Sequence, residues 1–168
     1  MKMDLLINQL LGHLRQESKL YQSMLGVIEK EGKAAVRSEL NSLINAKEEK
    51  EGILVKLRLL EEQRINVVRK IAEAFGYPQR DVTLTAISQL VDGPLAAQLK
   101  KAGTDLSSLL NTLIEANNRN KQLFEHSLEL VRGSFNLLSN LTRSDTVYYS
   151  SGNIQRNYQT GRCVDGEI

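Results

Sequence analysis

Few residues in this chain are of types that do chemistry, and their spacing limits what they can do. The sequence holds two histidines, His13 and His126, and one cysteine, Cys163. A single cysteine cannot close an internal disulfide, and with only two histidines there is no Cys/His metal set. Cys163 reads as an exposed structural thiol. A di-iron bundle needs Glu-x-x-His on facing helices, and that spacing does not occur. A phosphotransfer histidine must stand exposed on a bundle beside its partners; His126, within Phe124-Glu125-His126-Ser127, is the one mid-bundle candidate, and a plain helix-surface histidine is the simpler reading. The eleven glycines are scattered, and none precedes a Lys-Ser/Thr pair, so there is no phosphate loop. Carboxylates lie in charged runs such as Lys47-Glu48-Glu49-Lys50-Glu51, the pattern of a solvated helix face. No enzyme, cofactor or metal is expected.

The remaining polar residues of interest interrupt apolar seams, so the elements that carry them come next. Stepping by four and three from Leu95 gives Leu95, Leu99, Ala102, Leu106, Leu109, Leu113, Ala116, Asn120, Leu123, Ser127, Leu130, Ser134, Leu137 and Leu141, of which eleven are apolar. A 3.5-residue repeat held this long predicts one coiled-coil-like helix over about 94–141, roughly 70 Å in length at 1.5 Å per residue. A first seam reads Ile7, Leu10, Leu14, Glu17, Tyr21, Met24 and Ile28, predicting a helix over about 4–30 that Gly32 ends. The next reads Val36, Leu40, Leu43, Lys47, Lys50, Leu54, Leu57, Glu61, Arg64, Val68, Ile71 and Phe75, predicting a helix over about 34–75 stopped by Gly76-Tyr77-Pro78. Ile53, Leu60, Val67 and Ala74 widen that stripe, as suits a helix touching two neighbours. Between these long elements, TLTAISQLV predicts a short helix over about 83–91 with a threonine near its N-cap, and Pro94 opens the last helix at the position proline tolerates best.

Composition agrees with an all-α fold. In 168 residues there are 5% aromatics, no Trp and two Pro, and the net charge is +2 with both signs interspersed along every helix. No face is basic enough to neutralise phosphates, so nucleic acid is not expected. The N-terminal apolar run holds Asp4, Asn8 and Gln9, which suits neither a signal segment nor membrane insertion. The expected protein is cytosolic. Its architecture is an elongated antiparallel helical bundle or coiled-coil hairpin of three long helices plus one short one over 1–142, followed by a flexible tail over 143–168. Counting back from the expected turns, Glu17, Lys47, Lys50, Asn117 and Asn120 fall at one height and would form a polar layer that fixes register; a ligand site is the less favoured alternative.

The tail has no period able to hold structure by itself, yet it carries three of the five tyrosines, Tyr148, Tyr149 and Tyr158, together with Val147, Ile154, Val164 and Ile168. Aromatics on an adaptable segment predict a partner, with docking on its own bundle as the alternative. With the last turns of the long helix, around Val131, Phe135, Leu138 and Leu141, these residues would form an apolar surface for an amphipathic segment.

Two stretches resemble one family. Asn117-Asn118-Arg119-Asn120, Leu123 and Ser127-Leu128-Glu129-Leu130-Val131 are similar to the Asn-x-x-Asn and Ser-Leu-x-x-Val of the FlgN flagellar export chaperones, and Tyr148-Tyr149-Ser150-Ser151-Gly152 is similar to their tail pattern Tyr-Gly-x-x-Gly, with Tyr149 in place of the first glycine. The order of long, long, short and longer helices with a C-terminal tail matches as well. The resemblance implies a cytoplasmic protein without catalytic activity that holds the unassembled hook-associated proteins FlgK and FlgL, prevents premature assembly and delivers them to the export gate. It also implies cargo determinants in the C-terminal region, including Gly152, and a gate contact at Tyr148. The competing reading is a coiled-coil structural or adaptor protein that self-associates. A monomer is expected, with a dimer as the alternative.

Overall fold

A computed structural model of the chain describes residues 2–76, 83–91 and 93–142, with the backbone alone at Lys2, Leu141 and Thr142. The described residues form four helices and no strand: α1 (Lys2–Arg37), α2 (Leu40–Phe75), α3 (Leu84–Leu90) and α4 (Pro94–Thr142). The chain divides into two units, Met1–Glu125 and His126–Ile168, and the division falls inside α4.

In the first unit α1 and α2 are antiparallel, as the pairs Glu17–Arg64 and Glu31–Lys50 show, and α4 meets both. The apolar stripes lock together in two clusters. One joins Ile7, Leu10, Leu11 and Leu14 of α1, Val67 and Ile71 of α2, Ile87 of α3 and Leu99 of α4. The other joins Met24 and Ile28 of α1, Leu57 of α2 and Ala116 of α4. α3 lays Ile87 into the first cluster, with Leu84 packed against it. Its N-cap Thr83 accepts a hydrogen bond at Oγ1 from the Ala86 N–H at 3.1 Å, satisfying one of the amide donors orphaned at a helix start. Pro94 opens α4, after Gly93 with φ of 78°.

The sequence places the α1–α2 turn at Gly32, and the structure does not. α1 runs through Gly32 to Arg37 and closes in a Schellman motif: the Ser38 N–H donates to the Ala35 carbonyl at 3.2 Å, and the Glu39 N–H donates to the Ala34 carbonyl at 3.0 Å. Ser38 takes the left-handed conformation, φ 57°, that a glycine usually fills. α2 ends as expected, at Gly76 with φ of 68°.

Burial along α4 changes midway. The seam is buried at Leu99, Ala116 and Asn120 and partly buried between them, whereas Leu130 and Leu137 are 61% and 66% exposed. Among the described residues no helix is long and apolar enough to cross a membrane. Leu99→Ala should lower the unfolding free energy by about 2–4 kcal/mol, because it opens a cavity between four helices, whereas Leu137→Ala should change it by less than about 0.5 kcal/mol. Urea unfolding of the two variants checks this.

Candidate partner-binding surfaces

The polar residues inside the first unit form two layers, not one. In the first, the Arg64 Nε donates to Glu17 Oε1 at 2.8 Å, on a Glu17 side chain that is almost wholly buried. In the second, Lys50 Nζ donates to Glu31 Oε2 at 2.7 Å, and the Asn120 Nδ2 donates to the same oxygen at 2.9 Å and to the Ile28 carbonyl at 2.7 Å. One layer joins α1 to α2; the other joins α1, α2 and α4. Each buried charge has an opposite charge within hydrogen-bond distance, the condition under which burial is tolerated.

This corrects the expected layer in three places. Glu17 pairs with neither Lys47 nor Lys50. Lys47 lies on the exposed face of α2, 3.8 Å from Glu51, and Asn117 is exposed. Lys50 and Asn120 do share a layer, but their carboxylate is Glu31. The cause is the turn: with α1 extended to Arg37, the residue of α2 opposite Glu17 moves further along the chain, to Arg64. Both missed residues carried a signal, since Arg64 interrupts the α2 seam and the α1 stepping carried past Ile28 lands next on Glu31.

Gly32 acts at this second layer. A Cβ there would stand 2.5 Å from the Asn120 Oδ1, so the glycine lets α4 approach α1 closely enough for the asparagine to bridge. Around the first layer lies a cleft of about 620 Å³, with Leu10, Leu14, Val68, Leu84, Ile87 and Leu106 among its walls and Glu17, Tyr21 and Arg64 also lining it. Burial pushes the Tyr21 phenol above its ordinary value of 10.0, and the charges of Glu17 and Glu61 add to the shift while Arg64 opposes it. Among the described residues no group of three or more His, Cys, Asp or Glu could hold a metal ion.

The second unit is described over His126–Thr142 and is helical there. Of the residues expected to bind a partner, Val131, Phe135 and Leu138 are 52%, 69% and 59% exposed. They follow Leu128 at steps of three and four, which lays the four along one stripe. Leu130 and Leu137 lie roughly a third of a turn away around the helix, on the continuation of the heptad seam. This part of α4 is therefore apolar on two sides and carries both in the open, the marking of a contact surface. The side chain of Leu141, and Val147, Tyr148, Tyr149, Gly152, Ile154 and Tyr158, lie outside the described residues.

Two outcomes follow from the layers. Gly32→Ala should destabilise by about 1 kcal/mol, because the lost hydrogen bonds of Asn120 outweigh the gain in helix propensity; with Asn120→Ala already present, the same change should stabilise by about 0.5–1 kcal/mol. A double-mutant cycle by thermal or denaturant unfolding reads the sign reversal. For Tyr21 the folded state holds its proton more tightly than the unfolded state. Its contribution is complete below pH 10.0 and is lost as pH rises through the raised folded value. Tyr21→Phe should therefore flatten part of the alkaline decline in stability, measured from pH 9 to 11.

Comparison with known proteins gives one match. The family model for FlgN, described as FlgN protein, matches residues 1–156. No curated protein and no solved structure matches the chain. A match that runs through all four helices and past the end of α4 carries the assignment: the chain belongs to the FlgN family of flagellar export chaperones.

Proposed function

We propose that the chain is a cytoplasmic, non-catalytic chaperone that holds unassembled FlgK and FlgL, prevents their premature assembly and delivers them to the type III export gate. The observation that carries this reading is the C-terminal part of α4, where Leu128, Leu130, Val131, Phe135 and Leu137 are each more than half exposed. A soluble helix with two uncovered apolar sides gains free energy when an amphipathic partner covers them. The tail residues Val147, Tyr148, Tyr149, Gly152, Ile154 and Tyr158 extend the same surface in this reading. Tyrosine anchors supply large apolar area with a polar end, at small entropic cost. Tyr148 would also contact the gate.

The exposed heptad continuation at Leu130 and Leu137 favours a second reading, self-association as a coiled-coil adaptor. Solution mass separates the two: the chaperone is a monomer that becomes a one-to-one complex with cargo, whereas the adaptor is already a dimer.

The decisive comparison uses three variants: a chain ending at Thr142, Tyr148→Ala with Tyr149→Ala, and Val131→Ser with Phe135→Ser. Each should bind FlgK or FlgL at least about tenfold more weakly while its melting temperature stays within about 2 °C of the unaltered chain. Full cargo and gate binding by all three, or unfolding on truncation, would remove the support for this reading.

A further inference from the structure

The cleft in the first unit has a composition that the export role of the second does not use. Its walls come from all four helices, and on α2 and α4 its apolar residues recur at helical spacing: Ile65, Val68 and Ala72 on one side, Leu106 and Leu110 on the other. Ile114, 54% exposed, continues the α4 row by one further turn. Two facing rows at this spacing form a trough into which the ridge of another helix fits, with anchors at i, i+3, i+4 and i+7. A second cleft of about 810 Å³ shares Leu84, Gly103 and Ser107 with the first and adds Lys100.

The charges lining the two clefts do not balance. Glu17 is the one carboxylate among the lining residues, and Arg64 already engages it. That leaves Arg69 and Lys100 as surplus cations on α2 and α4. Arg69 donates to the Asn66 amide oxygen at 2.9 Å, and among the described residues neither cation has a carboxylate partner. Gly103 lets α3 pack close against α4 between the two clefts, since a Cβ there would come within 2.7 Å of Leu84 Cδ2.

We infer that this groove is a second docking site, built within residues 1–125, for an amphipathic helical segment whose apolar ridge is flanked by acidic residues. The ridge fills the trough over Leu106, Leu110 and Val68, and the flanking carboxylates meet Arg69 and Lys100. The site goes beyond the binding of hook-associated cargo at the end of α4, and its test needs no such cargo.

The probe is a labelled designed peptide with leucines at i, i+3, i+4 and i+7 and glutamates beside them, compared with the same peptide carrying lysines instead. Fluorescence anisotropy on the full chain should show the glutamate peptide binding about tenfold or more tightly than the lysine peptide, with the preference reduced as salt screens the rim charges. Ser107→Trp, an exposed position that lines both clefts, should weaken the glutamate peptide by about tenfold or more without lowering the melting temperature. Arg69→Glu with Lys100→Glu should reverse the peptide preference. Equal binding of the two peptides, no binding of either, or indifference to Ser107→Trp would overturn the inference. Loss on Phe135→Ser in place of loss on Ser107→Trp would also overturn it, since the peptide would then occupy the α4 stripe.

Discussion

The geometry of the first unit depends on two carboxylate–cation pairs across α1 and α2. Glu17 and Glu31 stand two heptads apart on α1, and their partners Arg64 and Lys50 stand two heptads apart on α2, running the other way. An apolar seam of Leu, Ile and Val is nearly indifferent to a slip of one heptad, because leucine replaces leucine. The pairs are not. A one-heptad slip would set Glu17 against Leu57 and Arg64 against Leu10, and a charge as buried as Glu17 costs about 3–5 kcal/mol when left alone. A two-heptad slip would match Glu17 with Lys50 but strand Glu31 and Arg64. Only the observed register satisfies all four charges, and Asn120 then reads that register for α4 by bonding to Glu31 and the Ile28 carbonyl.

The two-heptad slip is the arrangement obtained by reading Gly32 as the turn, which explains why part of the fold was legible in the sequence and part was not. Helix type, number and order follow from the 3.5-residue period, and the Gly76 stop, the Thr83 cap and the Pro94 start all stand where their chemistry predicts. The first turn does not, because two residues exchange their usual roles. Ser38 adopts the left-handed backbone that favours glycine, held by two Schellman hydrogen bonds, while Gly32 sits mid-helix beneath the Asn120 side chain. Sequence cannot show close approach of a helix that lies some ninety positions away. Moving the turn by a few residues moves every facing position on α2 by twice as many, so a small boundary error becomes a wrong ion pair.

The two proposed surfaces were legible to different degrees for a similar reason. The exposed apolar residues at the end of α4 follow from local pattern, and Val131 and Phe135 are visible as sequence before any fold is known. The groove is not local. Leu10, Val68, Ile87 and Leu106 look like ordinary seam or core residues in the sequence, and only the convergence of four helices turns their edges into one cleft. Tyr21 belongs to the same class: its spacing marks it as a core residue, but its raised phenol comes first from burial in the assembled unit and then from Glu17 and from Glu61 of another helix.

The two surfaces also differ in what they can discriminate. The α4 stripe combines apolar side chains in the open, so under the proposed reading its affinity would grow with the area covered and it would accept amphipathic segments of varied sequence. The groove carries Arg69 and Lys100 beside an apolar floor, next to the part-buried Arg64–Glu17 pair that joins α1 to α2. A ligand with cations beside its ridge would have to bring them against Arg69 and Lys100, so the proposed groove site would reject by charge what the stripe would accept by area. Under the two proposals, selectivity would reside in the first unit, where Arg69 and Lys100 flank the groove, and capacity for varied clients in the second.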